Sequence, residues 1–216
     1  MKKILCPSMM CADYGNLEKE IKELDKAGID IFHCDVMDGS FVPNMTMGLK
    51  DVETISKYTD KPIDCHLMIE NPMEKVDWFI NAGANIIYIH PESERYVVKT
   101  LAHIKDRGCK AGIAINPDTS IYSIEEILNL CDYVMVMTVN PGFAGQKFID
   151  FTSHKIEELV NLKKKLSFQL LIDGSCSPEI IKKYSNLGCD GFILGTSALF
   201  GKNRPYKDII EDLRRL

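Results

Sequence analysis

Several things are missing from this 216-residue sequence, and each absence argues against a class of function. There is no basic excess: 26 Lys and Arg stand against 31 Asp and Glu, a net charge of −5. No global positive field therefore draws in nucleic acid or an anionic membrane, and an anionic ligand must be held by local donors such as backbone amides. No apolar run reaches transmembrane length, and the start MKKILCPSMMCAD has too few apolar residues before Asp13 to form the core of an export signal. Cys6, Cys11, Cys34, Cys65, Cys109, Cys131, Cys176 and Cys189 include no C-x-x-C pair. The expectation is a cytoplasmic protein with reduced, mostly buried thiols. No GK[ST] phosphate loop occurs, which argues against nucleotide hydrolysis. No low-complexity stretch, proline-rich linker or charge run divides the chain, so 1–216 is expected to form one domain.

What the sequence does have is alternation. Short apolar runs read as strands at 3–8, 29–36, 62–68, 85–90, 110–116, 133–139, 168–173 and 191–196. Amphipathic stretches near 16–26, 48–58, 73–82, 94–107, 123–130, 153–166, 178–187 and 206–215 read as helices. KAGIDI, NAGANII, DRGCKAGI and NLGCDGFI each place a glycine where a helix stops, a few residues before a strand. Eight strand–helix units predict an α/β protein, a single (β/α)8 TIM barrel. An open doubly wound sheet competes, but it usually carries a glycine-rich turn after its first strand, and this chain reads SMMCADYG there.

In a parallel barrel, chemistry sits where strands end and loops begin. The second strand carries His33 and Asp35, two residues apart and so on one face. The third carries His66 near its end, and the seventh closes with Asp173. Taken singly, each has an ordinary reading, as a core histidine or a turn-forming aspartate. Converging on one end of a barrel, two imidazoles and two carboxylates can surround one divalent cation. An aspartate inside a barrel is costly unless it is paired or coordinated.

The phosphate-binding candidates follow strands six, seven and eight. Val139-Asn140-Pro141-Gly142-Phe143-Ala144-Gly145-Gln146 has two glycines three apart, allowing close backbone approach. Asp173-Gly174-Ser175 and Gly195-Thr196-Ser197 end the last two strands, where barrels often bind phosphate. Ordinary tight turns are the plain alternative. The 140–147 loop is a candidate lid, or a rigid loop.

These motifs are specific when read together. HCDVMDGSFVPNMTMG (33–48), DCHLM (64–68), NPDT (116–119), MTVNPGFAGQKFI (137–149) and IDGS (172–175) resemble the ribulose-phosphate 3-epimerase family over nearly the whole chain. The resemblance implies that His33, Asp35, His66 and Asp173 bind a divalent metal ion, which could be zinc, iron(II), manganese, cobalt or magnesium. It implies that Asp35 and Asp173 exchange protons with C3 of a phosphorylated ketose through a cis-enediolate. By the same resemblance Ser8 and His66 contact substrate, and Met37, Met68 and Met137 pack near the reacting carbons, although core filling is the commoner fate of methionine. Gly142, Phe143, Ala144, Gly145, Gly174, Ser175, Gly195, Thr196 and Ser197 would hold the phosphate, and the protein would be a homo-oligomer.

The chain departs from many family members, which read DGG, GS and PGFGGQ where it reads DGSC, GTS and PGFAGQ, with HPES after the fourth strand. In this it resembles the D-allulose-6-phosphate 3-epimerase branch, implying interconversion of D-allulose 6-phosphate and D-fructose 6-phosphate. The same chemistry on ribulose 5-phosphate and xylulose 5-phosphate is the alternative. A catalytically silent sugar-phosphate-binding barrel is more remote, because both aspartates and both histidines are retained.

Overall fold

The computed structural model describes residues 2–216. Nine strands form one sheet: β1 (Ile4–Pro7), β2 (Phe32–Asp38), β3 (Met45–Thr46), β4 (Ile63–Met68), β5 (Ile86–Ile89), β6 (Lys110–Ile115), β7 (Tyr133–Met137), β8 (Gln169–Asp173) and β9 (Gly191–Leu194). All neighbours are parallel except the β2–β3 pair, and the order is β1-β9-β8-β7-β6-β5-β4-β2-β3. The sheet curls until β1 returns to β2. There Ser8 bridges His33, and the Asp30 N–H donates to Leu5 O over 3.0 Å. At the same seam the Leu5 N–H donates to the Asp30 side chain over 2.9 Å. The predicted TIM barrel is the fold.

Seven α-helices wrap this sheet: α1 (Leu17–Ala27), α2 (Leu49–Tyr58), α3 (Val76–Ala82), α4 (Val97–Asp106), α5 (Thr152–Leu162), α6 (Pro178–Leu187) and α7 (Tyr206–Arg215). The eighth expected helix, 123–130, is instead two 3-10 segments, Ile121–Ser123 and Glu125–Leu130. Ile121, Ile124 and Leu128 are buried at a spacing an α-helix would also satisfy, so the burial pattern does not distinguish the two windings. The four glycine junctions behave as expected. Gly28, Gly83, Gly108 and Gly188 all have positive φ, between 80° and 122°, where a side chain would be strained.

Alternation along the strands sorts side chains into two apolar layers. Leu5, Cys34, Val36, Cys65, Leu67, Ile87 and Ile89 belong to the layer between sheet and helices. Cys6, Ile31, Tyr88, Ala114, Met135, Leu171 and Ile193 fill the barrel interior. Tyr88 is accommodated there because its neighbour is Gly112: a Cβ on Gly112 would lie 2.6 Å from the tyrosine ring. Above this floor the interior turns polar, and that change positions the site. Of the eight free cysteines, six are buried and two partly so.

Gly112→Ala is expected to cost about 1–3 kcal/mol, because the fully buried ring has no room to retreat. An unfolding midpoint in urea equal to that of the parent protein would contradict this account of the floor.

Candidate active site

β2 and β4 run side by side in register, with Asp35 opposite His66 and His33 opposite Asp64. Period-two alternation sends His33, Asp35 and Met37 inward from β2, and Asp64, His66 and Met68 inward from β4. Asp173, the last residue of β8, approaches from across the barrel mouth. One oxygen of Asp35 lies 3.1 Å from His33 Nε2 and 3.2 Å from His66 Nδ1. Asp173 Oδ2 lies 3.9 and 3.6 Å from the same two nitrogens. One ligand atom from each of the four residues falls within 4.8 Å of all the others.

Both histidines are fully buried, and among the described residues neither carboxylate has a lysine or arginine at ion-pair distance. The two carboxylates nonetheless differ. Burial raises the proton affinity of Asp35, but His33 and His66 outweigh it and hold this carboxyl well below the usual range. The Ser8 hydroxyl also donates to Asp35 Oδ2 over 2.5 Å. Burial, reinforced by the charge of Asp35, pushes Asp173 up to about 7. One carboxyl is thus set to be ionised and the other to keep its proton near neutrality.

The outward-facing nitrogens of the two imidazoles are also engaged. Asp64, fully buried, brings Oδ1 within 2.5 Å of His33 Nδ1, at ion-pair distance though off line for a hydrogen bond. His66 Nε2 lies 2.8 Å from Nε2 of His90, the residue that follows β5. Asp64, His90 and Glu92 were not among the candidates read from the sequence. Asp64 carried a usable signal, since D-C-H repeats on β4 the two-residue spacing of His33 and Asp35.

Over these groups opens a cavity of about 560 Å³ including its mouth. Its wall contains Ser8, Asp35, Met37, Met68, Met137, Asp173 and the expected phosphate-loop residues, Gly142 to Gly145, Gly174, Ser175 and Gly195 to Ser197. His66 lies behind that wall. Met10, Cys11, Cys176 and Ile193 join the lining without having been read from the sequence as site residues. Gly174 is required where it stands: at φ 114°, an added Cβ would meet Val139 N at 2.9 Å. The 140–147 loop is laced from within, because the Gln146 amide donates to Asn140 O and Phe143 O over 2.6 and 2.9 Å. Asn44 ties it to the segment after β2 by donating to Gly142 O over 2.7 Å.

The family model described as the ribulose-phosphate 3 epimerase family matches residues 4–200. The chain belongs to that family. Ribulose-phosphate 3-epimerase from Aquifex aeolicus is 41% identical, with 99% of this chain and 95% of the relative covered. The protein of the same name from Bacillus subtilis is 40% identical over 96% of both. Membership at this level makes the chain an epimerase, an enzyme of the isomerase class. Solved barrels extend the likeness to fold alone. A 3-keto-L-gulonate-6-phosphate decarboxylase from Vibrio cholerae superposes with a TM-score of 0.76 at 14% identity, covering 100% of this chain and 97% of its own. A 3-hexulose-6-phosphate synthase gives 0.71 at 13%, covering 100% and 99%.

In the metal-free protein Asp173 holds its proton more tightly when folded, at about 7, than its ordinary 3.8. Stability from that proton is complete below about 4 and is lost as pH rises through about 7. Asp173→Asn should therefore melt progressively higher than the parent between these limits, the gap levelling above them. A melting difference that does not change with pH would refute the assignment.

Proposed function

We propose that this chain is a metal-dependent ketose-phosphate 3-epimerase in which Asp35 and Asp173 move the protons. The observation that carries the reading is the four-residue cluster: two imidazoles and two carboxylates within 4.8 Å, with opposite proton affinities on the carboxylates. The cluster suits a divalent cation chemically. Its donors are nitrogen and oxygen, its carboxylates lack any other cation, and the far nitrogens of both rings are already engaged. His33, Asp35, His66 and Asp173 would hold the ion, which supplies Lewis-acid stabilisation for negative charge on substrate oxygens. Zinc, iron(II), manganese, cobalt and magnesium are all candidates on donor type.

Epimerisation at C3 of a 2-ketose removes a weakly acidic proton and returns one to the opposite face. Asp35, ionised, takes the proton in one direction, and Asp173, protonated, delivers one from its place on β8 across the mouth. In reverse the roles exchange. Ser8 steadies Asp35 through its short hydrogen bond. Met37, Met68 and Met137 form an uncharged wall beside the reacting carbons and keep water from them. Backbone amides of Gly142 to Gly145, Gly174, Ser175 and Gly195 to Ser197 receive the phosphate, supplying locally what the net negative charge does not.

For the substrate pair, the names of the relatives support D-ribulose 5-phosphate and D-xylulose 5-phosphate, and this places the pentose reading ahead of the hexose one. D-allulose 6-phosphate and D-fructose 6-phosphate are the second reading, resting on the loop resemblance at the phosphate end, where Ser175 sits in the cavity wall at φ 51° and adds a hydroxyl. We read 1–216 as one barrel acting in the cytoplasm as a homo-oligomer. Among the described residues no helix is long and apolar enough to cross a membrane.

Paired kinetics on both ketose phosphates tests the substrate. The pentose reading expects the larger kcat/KM for ribulose 5-phosphate, and a larger value for allulose 6-phosphate reverses the order. Asp35→Asn and Asp173→Asn should each lower kcat by about 10²–10⁴ with each substrate that turns over. Chelation should silence the parent enzyme. Deuterium from solvent should appear at C3 of recovered substrate, and a double Asn variant that retains most activity would sink the two-carboxylate reading.

A further inference from the structure

Behind the cavity runs a line of polar groups, two buried histidines and an exposed glutamate, whose outer members the epimerisation steps do not use. His66 turns Nδ1 toward Asp35 and Asp173, at 3.2 and 3.6 Å, and Nε2 away from them toward His90. His90 is fully buried, with its ring 5.0 Å from that of His66 and tilted from it by 26°. Its Nε2 is 2.8 Å from His66 Nε2, and its Nδ1 is 3.3 Å from Glu92 Oε2, off line for a hydrogen bond but close enough to feel the charge. Glu92 is anchored in turn: Oε1 accepts from the Asn116 N–H over 2.9 Å and from the Thr119 hydroxyl.

Two ring nitrogens 2.8 Å apart need one proton between them, so one donates and the other accepts. With neutral rings there are two arrangements. If His66 donates from Nε2, its Nδ1 presents a lone pair to the site, and the His90 proton sits on Nδ1, facing the Glu92 carboxylate. If His90 donates instead, the His66 proton occupies Nδ1, where a metal ligand needs its lone pair, and the bare Nδ1 of His90 meets a negative carboxylate. Without a cation the Asp35 carboxylate, 3.2 Å from His66 Nδ1, draws the proton toward the site and opposes Glu92. Once a divalent cation takes up the charge of Asp35 and claims the Nδ1 lone pair, Glu92 favours the first arrangement. His33 is served by a shorter device, with Asp64 placed directly against its Nδ1.

We propose that His90 and Glu92 are positioning residues that lock His66 in the tautomer whose Nδ1 is free to bind a divalent cation. The inference rests on the metal reading of the four-residue cluster and extends it to a second ring of groups.

Histidine 15N NMR of the zinc(II)-loaded protein should place the His66 proton on Nε2 and the His90 proton on Nδ1. Cobalt(II), titrated in competition with a chromophoric chelator, should bind His90→Phe about ten- to a hundredfold more weakly than the parent. His90→Gln, whose side-chain carbonyl can still accept from Nε2, should stay within a few-fold of the parent. Thermal melts of the metal-free variants verify folding. Should His90→Phe fail to fold, Glu92→Gln decides, with cobalt bound about tenfold more weakly than by the parent. A His90 proton on Nε2 in the zinc-loaded parent, or cobalt binding equal to the parent's in a folded His90→Phe or in Glu92→Gln, overturns the proposal. A parent protein that binds no cobalt at all overturns the metal reading itself, which keeps the two failures apart.

Discussion

The site depends on negative charge enclosed without a lysine or arginine to match it. Asp35, Asp64 and Asp173 gather at one end of a barrel whose interior is otherwise apolar, and the partners within reach are two imidazoles and a serine hydroxyl. Burying carboxylates this way is expensive unless something neutralises them. A bound divalent ion resolves the expense, as does keeping a proton on one of the carboxyls. Both solutions serve an enzyme that must stabilise an anion and also exchange hydrogen. The same electrostatic tension explains why two chemically identical side chains, Asp35 and Asp173, differ so widely in proton affinity.

Much of this was legible in the sequence because the relevant signals are local. The period-two spacing of His33 and Asp35 and the four helix-ending glycines depend on neighbours in the chain, and each appears where expected. Features that depend on the packed barrel were harder to see. The pairing Met37–Thr46 makes β3 only two residues long, too short to show alternation. The stretch 121–130 has buried positions compatible with a helix, yet winds more tightly. His90 appears in HPES as a residue before a proline; its meaning emerges only when β4 and β5 lie together and bring it against His66. Substrate choice is least legible. The hexose reading rested on a few loop residues, whereas full-length relatives at about 40% identity carry the pentose name.

The division between layers also separates stability from chemistry. The outer apolar layer and the Tyr88 floor contain no group the reaction needs, and Gly112 is there to make room for a ring. Above the floor, packing gives way to polar contacts whose worth depends on protonation and bound ions. The cavity wall accordingly combines loops that hold a ligand with strand ends that hold reactive groups, the division of labour expected of a barrel.

The seam where the barrel closes has a consequence for biosynthesis. β1 finds its ladder partner in β9, joining Ile4 to Gly191, and the Arg214 guanidinium of α7 reaches Lys3 O, a residue 211 positions away. While the chain is still emerging from the ribosome, the first strand has β2 within reach but not β9, and its apolar side chains have no lasting cover. The early β-strands must be assembled as an open curl, exposed to misassociation, until β9 and then α7 supply the clasp. Shortening the C-terminal helix would therefore leave the finished barrel with the unfastened seam of the nascent one.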